Sequence, residues 1–506
     1  MSRCLLSFVS LFLSLTLLQA QDKRPNILLL YADDMGYGDL GIQNPDSKIP
    51  TPFLDQLARE GMRFTDGHSS SGICTPSRYA MLTGRHHWRK FHGIVGALGE
   101  SVFDADELTL PEMLKEKGYA TACIGKWHLG WNWEAIKVPD AKPEVRMKGK
   151  RKQTYWGAED FDWSKAIPNG PLAHGFGHYF GDAVINFPPY AWIKDDRVVD
   201  IPDTTLTITA KTKEGNWEAR PGPARSDWDF YQVLPTLTKK AVAWLEDRRG
   251  KEEPFFLYFP LPSPHAPIVP TDEFDGKSQA GPYGDFVVQS DWSCGQLLEA
   301  LKASGHAENT MIIFTADNGP EKYAYARVEN YNHWSSKPFR GLKRDIYEGG
   351  HHVPFVVKWP GVTEPGSVSD ALVSQIDLMA TMASMLDIKL PTKAAEDSFD
   401  LLPLLKGETT VSPRTTHVHN TKEGHYAIRH GKDVLIDALN GYVSGRNKPW
   451  EEQFGYPKEA KTSAQLFDLE KDIAQKQDLS EEQPDKVKRL QALLGKIREE
   501  GYPRGK

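Results

Sequence analysis

The chain has 506 residues, 40% of them hydrophobic and 25% charged, with a formal net charge of -7. That length accommodates one large domain with a smaller companion, and the composition is that of a chain able to bury a sizeable core. The acidic balance argues against a nucleic-acid partner, which would call for a broad basic surface.

The first predicted element stands apart from the fold. Arg3 precedes an apolar run from Leu5 to Leu18, and Gln19-Ala20-Gln21 follows. The run is too short to span a bilayer, so residues 1–20 read as a secretory signal peptide cleaved after Ala20, and the chain as exported, periplasmic or extracellular, and not membrane-spanning. Cys4 leaves with that segment. Cys74, Cys123 and Cys294 stay, and the last two are expected to be buried and free.

Apolar runs at 26–32, 120–124, 255–259, 311–315 and 354–358 read as buried strands. Helical patterns lie between them. At 51–61, Thr51 is the expected N-cap, Pro52 the first helical residue and Gly61 the C-cap. Residues 110–118 and 291–305 carry the same kind of pattern. Strands alternating with helices imply an α/β fold, a large, mostly parallel central sheet flanked by helices. Residues 131–230 are rich in Trp, Pro, Lys and Asp with weak periodicity, and read as long insertions at the functional edge of the sheet. From about residue 390 the character changes. Residues 425–437 look like short strands, and 484–500 form an amphipathic helix with Val487, Leu490, Leu493, Leu494 and Ile497 on one face. The expected division is 24–389 as a catalytic domain and 390–506 as a smaller C-terminal α+β subdomain.

Polar residues gather where those strands end: Asp33-Asp34, then Lys126-Trp127-His128, then Pro262-Ser263-Pro264-His265, then Asp317-Asn318-Gly319. In open α/β sheets ligands bind beyond the carboxyl ends of the strands, so these residues are expected to meet in one crevice. Asp33, Asp34, Asp317 and Asn318 are hard oxygen donors, a set suited to Ca2+, with Mg2+ as the alternative. Each pair alone would also serve an ordinary turn. Cys74-Thr75-Pro76-Ser77-Arg78 opens a short helix ending at Gly84, which puts a reactive cysteine at a helix N-terminus and Arg78 one turn on.

The run from Cys74 to Arg78, followed by Leu82-Thr83-Gly84-Arg85, resembles the sulfatase signature, and Gly125-Lys126-Trp127-His128-Leu129-Gly130 resembles a second sulfatase motif. The resemblance covers roughly residues 24–390 and implies a fold of the alkaline phosphatase superfamily. It also implies oxidation of Cys74 to formylglycine by a formylglycine-generating maturation enzyme. By resemblance, Asp33, Asp34, Asp317 and Asn318, with residue 74, surround the cation, while Arg78 and Lys126 hold the modified residue. His128 is then the base that expels sulfate. His265, with Lys343 of the run Arg340-Gly341-Leu342-Lys343, protonates the leaving alcohol. One position departs from the pattern: His352 stands where relatives commonly carry arginine.

The implied function is hydrolysis of sulfate esters, on a sulfated small molecule or glycan. Trp131, Trp133, Tyr155, Trp156 and Trp163, with Lys142, Arg146, Lys148, Lys150, Arg151 and Lys152, form either a platform for a sulfated sugar polymer or a solvated basic loop over an apolar patch. The rival readings are a phosphate or phosphonate ester hydrolase of the same fold and a catalytically silent glycan-binding protein.

Overall fold

A computed structural model describes residues 24–148, 151–207, 211–215, 218–443, 445–456 and 462–502, the side chains of 146–153 excepted. The expected signal peptide and Lys150 lie outside the described residues, and Arg146, Lys148, Arg151 and Lys152 of the same basic loop are described in their backbone alone.

The main sheet has ten strands. In chain order they are β1 (Asn26–Ala32), β2 (Met62–Phe64), β3 (Ala120–Ile124), β4 (His178–Gly181), β5 (Ile193–Lys194), β6 (Arg197–Val198), β7 (Phe255–Pro260), β8 (Thr310–Ala316), β9 (Phe355–Lys358) and β10 (Ser367–Ser369). Their spatial order is β10-β2-β9-β8-β1-β7-β3-β4-β5-β6. The centre is parallel, with Leu28 between Leu257 and Ile312, while β9 and the short β4-β5-β6 meander pair antiparallel. The fold is α/β, as the strand–helix alternation implies.

β1 is buried throughout, which explains its unbroken apolar run. Its pleat divides it between two layers. Ile27, Leu29 and Tyr31 pack with Tyr79 and Leu82 of α2 (Cys74–Thr83) and with Leu110 and Leu114 of α3 (Leu110–Glu116). Leu28, Leu30 and Ala32 pack with α1 (Pro52–Arg59), α4 (Val233–Glu246) and α5 (Gly281–Ala303) through Leu54, Leu57, Leu237, Ala241, Val287 and Leu297.

Several local expectations are corrected. Thr51 precedes α1, but its hydroxyl bonds Asp55 rather than capping the helix, and the C-cap is Glu60. Gly61 is small because a Cβ would meet the Val357 carbonyl at 2.5 Å. α5 begins ten residues before position 291, because Pro282 sits in its first turn, where a missing N–H does no harm. Residues 131–230 are not purely insertions, since β4, β5 and β6 extend the sheet. Cys123 and Cys294 are buried free thiols.

A second sheet is antiparallel and C-terminal: β11 (Thr416–Lys422), β12 (His425–His430), β13 (Asp433–Ile436) and β14 (Gln465–Asp468). On it lies α6 (Pro484–Glu500), whose Leu490, Leu494 and Ile497 are buried against Val418, Ile428, Leu435 and Leu466, with Val487 and Leu493 at the margin. Among the described residues no helix is long and apolar enough to cross a membrane.

Candidate active site

Four strand ends and one helix start converge as the topology requires. Asp33 and Asp34 follow β1, Lys126 follows β3, His265 follows β7, Asp317 and Asn318 follow β8, and Cys74 opens α2. Asp34 has a left-handed backbone (φ 63°) and its N–H donates to Asp317 Oδ1 at 3.1 Å, so the two acidic turns lock together.

Every predicted residue is at least 90% buried, and charges are matched at close range. Asp33 accepts from Lys126 Nζ at 2.5 Å, lies 3.6 Å from the Arg78 guanidinium, and is 3.7 Å from Cys74 Sγ. Arg78 forks onto Asp317 at 3.1 and 2.8 Å and donates to Tyr258 Oη at 3.4 Å. Lys343 Nζ donates to Asp34 at 2.7 Å, and His265 Nε2 stands 3.7 Å from the same carboxylate. Burial raises Asp34, but Lys343 and His265 outweigh it and hold the carboxyl below its ordinary range. Asp317 is pushed up, by burial first and then by Asp33.

Cys74 overturns one expectation. A helix N-terminus should lower a thiol, yet burial dominates and pushes Cys74 up to about 12. As an unmodified thiol it is protonated at neutral pH and a poor nucleophile.

His128 has a left-handed backbone (φ 53°), so Lys126 and His128 do not lie along one extended segment. Its Nε2 lies 3.1 Å from the Val95 carbonyl, and its Nδ1 is buried without a hydrogen-bond partner. With Nε2–H given to Val95, Nδ1 carries the lone pair. Burial, then Lys126 and Arg78, lower His128 well below the usual imidazole range. His265 is fixed in the same way. Its Nδ1 lies 2.5 Å from the Ala266 carbonyl, leaving Nε2 toward Asp34, and burial with Lys343 lowers it to about 4.

The donor set fits a hard cation. Asp33 and Asp34 bring carboxylate oxygens within 4.8 Å of each other, of Cys74 Sγ and of a His265 ring nitrogen, Asp317 is joined to Asp34 through the latter's backbone N–H, and Asn318 is telling. Its Nδ2 donates to Asp34 and to the Gly319 carbonyl, while its buried Oδ1 accepts nothing. A buried acceptor beside three carboxylates is what a Ca2+ or Mg2+ ion would satisfy.

Two charged neighbours escaped the sequence reading. Glu321 stands 3.7 Å from Lys343 and pairs with Arg344; its position just past Asp317-Asn318-Gly319 was the available signal. Asp182 is buried, both its oxygens lack partners, and burial raises it to about 7; nothing in its sequence context marks it. His352 is held at both ring nitrogens, which face the Glu348 carboxylate at 3.0 Å and the Thr65 carbonyl at 2.8 Å. The aromatic platform is not formed by Trp131, Trp133 and Trp163, which are buried in the core beneath the sheet.

The sulfatase family model matches residues 25–388. The chain belongs to the sulfatase family. It is therefore a sulfuric ester hydrolase by family. A second model, the C-terminal region of N-sulphoglucosamine sulphohydrolase, matches residues 341–437 of this sulfatase. The N-acetylgalactosamine-6-O-sulfatase of Bacteroides thetaiotaomicron is 31% identical over 94% of this chain and 93% of its own length. Human arylsulfatase A is 34% identical over 84% of this chain and 76% of its own. A Bacteroides thetaiotaomicron structure solved in connection with the metabolism of multiple glycosaminoglycans superposes with a TM-score of 0.76 and 29% identity, over 94% of this sulfatase and 99% of that chain.

Proposed function

We propose that this sulfatase is exported, with residues 1–20 as its signal peptide, and removes sulfate from sulfated glycans through a formylglycine made from Cys74. In this reading Asp33, Asp34, Asp317 and Asn318 hold Ca2+, residues 24–389 form the catalytic domain and 390–506 a supporting subdomain. The observation that carries it is the meeting of Cys74 Sγ, Asp33, Lys126 and Arg78 within single contacts of one another, at a thiol that burial makes useless as a thiolate nucleophile.

The hydrated aldehyde supplies a nucleophilic hydroxyl at position 74, and a divalent cation supplies Lewis-acid polarisation of a sulfate oxygen. The chain's own groups do the rest. Lys126 and Arg78 lie beside residue 74 and carry fixed positive charge toward the transferring group. Lys343 and His265 flank Asp34 at the open side, where the leaving oxygen would sit. His265 is neutral in the free site because burial first, and then Lys343, oppose a charge there. A bound sulfate reverses that field and favours the Nε2 proton that passes to the departing alcohol. His128, with Nδ1 unpartnered and Nε2 anchored, is placed to take the proton from residue 74 in the second step.

The substrate class rests on the relatives. One matched across 94% of this chain is named for N-acetylgalactosamine 6-sulfate, so that ester is the first natural substrate to test.

The test is to express the chain with a formylglycine-generating enzyme, map the peptide from Phe64 to Arg78 by mass spectrometry, and assay an aryl sulfate and N-acetylgalactosamine 6-sulfate. An aldehyde at 74, with turnover abolished in Cys74→Ala, is expected. An unmodified thiol without turnover, and with sulfated glycan still bound, would replace this reading with that of a silent binding protein.

A further inference from the structure

A second cluster of ligand-type side chains lies outside the oxygen-rich site. His68 is on the segment that leads into Cys74, His351 follows the loop that carries Lys343, and His419 is on β11 of the C-terminal sheet. One ring nitrogen from each lies within 4.8 Å of those of the other two, and all three residues are buried. We propose that His68, His351 and His419 form a second metal site, a structural one for a divalent transition-metal ion of the Zn2+ type, which clamps the C-terminal sheet to the segment that presents Cys74.

Three independent observations carry this. The first is spacing: His68 Nδ1 and His351 Nδ1 are 3.1 Å apart. Two imidazole nitrogens bound tetrahedrally to one zinc, each at about 2.0–2.1 Å, stand roughly 3.3 Å apart. The second is orientation. His68 Nε2 lies 2.8 Å from Asp66 Oδ1, and Asp66 is gripped at both oxygens by Arg429. Asp66, with Arg429 Nη1 3.2 Å from the same nitrogen, fixes the ring's orientation and turns Nδ1 toward the cluster, and a carboxylate on the far nitrogen is the outer-shell arrangement of metal-binding histidines. The third is unmet bonding. Neither ring nitrogen of His419 has a partner. A neutral imidazole has one N–H and one lone pair, so buried His419 leaves both unanswered, which native interiors seldom tolerate.

The donor chemistry separates this site from the first. Imidazole suits zinc, copper, nickel or iron, and carboxylates with amide oxygens suit calcium or magnesium, so the two sites do not compete for one ion. His417, whose Nδ1 is also unpartnered, packs 4.2 Å from His419 ring to ring and is the candidate for a fourth ligand. His351 and His419 are stacked at 3.4 Å, and their rings would splay to share an ion. The segments are already in register, since Ser69 N–H donates to the His351 carbonyl at 2.9 Å.

The test uses the untagged full-length protein produced in zinc-replete and in cobalt-replete media, then passed through metal-free buffer. About one transition-metal ion per chain is expected by elemental mass spectrometry, with a nitrogen-only first shell of imidazoles in the zinc absorption edge and a visible tetrahedral cobalt band. His419→Gln should lower occupancy at least about tenfold with unchanged circular dichroism, and its melting temperature should fall to that of the chelated wild type. Should that variant not fold, the wild-type edge spectrum decides alone. Less than about a tenth of an equivalent retained from both media, an oxygen-ligated ion, or undiminished metal in both His419→Gln and His351→Gln would overturn the proposal.

Discussion

Replacing Lys126 by methionine isolates one charge without touching the Cys74–Arg78 run on which maturation would depend. The methionine chain nearly matches the aliphatic stem, so packing changes little. What goes is the ammonium 2.5 Å from Asp33 in a fully buried setting. Breaking a buried ion pair by removing one partner costs about 3–5 kcal/mol, because the remaining charge stays desolvated. Arg78, 3.6 Å from Asp33, offsets part of this, but its guanidinium is already forked onto Asp317. We therefore expect about 3 kcal/mol of destabilisation in chelator, a large share of the ~5–15 kcal/mol a domain of ordinary stability possesses. Urea denaturation measures it. Without Lys126, Asp33, Asp34 and Asp317 outnumber Arg78 and Lys343, so added Ca2+ should stabilise the variant more than the wild type. Turnover of an aryl sulfate, normalised to formylglycine content, should fall about 100–1,000-fold in kcat/KM, the effect of deleting one preorganised charge donor. A variant within about 1 kcal/mol and fivefold of wild type, with an equal response to Ca2+, would refute the account of Lys126 as the partner of Asp33 and a charge donor in the site.

Three further outcomes are expected. Gly125→Ala should destabilise by about 3 kcal/mol or more in denaturant titration, because φ is 135° and a Cβ would stand 2.1 Å from the immobile Pro260 carbonyl. Burial between Phe103 and Trp127 lowers His174 to about 4. The unfolded chain therefore takes up that proton first as pH falls below about 6.5, and up to about 3 kcal/mol of stability is lost between pH 6.5 and 4; in His174→Gln that part of the acid limb should flatten. Ending the chain at residue 389 should give no cooperatively folded product by calorimetry, since Ile346 and Tyr347 would lose their cover of Ala427, Val434, Ile436 and Phe467.

Much of the site was legible because chain topology and residue chemistry agree. Buried parallel strands read as unbroken apolar runs, and the polar residues that end them must share one edge, so Asp33, Asp34, Lys126, His265, Asp317 and Asn318 could be placed together before any coordinates. What stayed hidden depends on contacts distant in sequence. The strands β2, β4 and β10 are too short to carry a period. The left-handed turn at His128 is fixed by tertiary contacts, among them Thr75 Oγ1 donating to its carbonyl at 2.8 Å, and no glycine announces it. Trp131, Trp133 and Trp163 sit in a polar, proline-rich stretch yet fill the core, because apolar side chains spaced without period can still converge. The thiol of Cys74 went the opposite way from its helix-terminus signal because full burial outweighs a partial dipole charge.

The C-terminal sheet contributes none of the predicted catalytic side chains, yet the segment carrying Cys74 is built against it. Ser71 Oγ donates to the Asn420 carbonyl at 2.7 Å, and the Gly72 N–H reaches Thr421 Oγ1 at 3.3 Å. On the other side Arg344 N–H donates to the Gly72 carbonyl at 2.7 Å, which ties the same segment to the loop of Lys343. Gly72 is required there, since a Cβ would come within 2.9 Å of the Asp345 carbonyl and 3.0 Å of Thr421. Arg429 of β12 then fixes Asp66, and Asp66 fixes His68, on the way into the same turn. A displacement of about 1 Å in a reacting group is enough to lose two orders of magnitude in rate. Residue 74 sits at the end of this braced segment, so its position relative to Asp33 and Lys126 is set as much by β11 and β12 as by the parallel sheet. The C-terminal sheet is thus a positioning element of the candidate active site, and this gives a physical reason for one chain to carry both sheets.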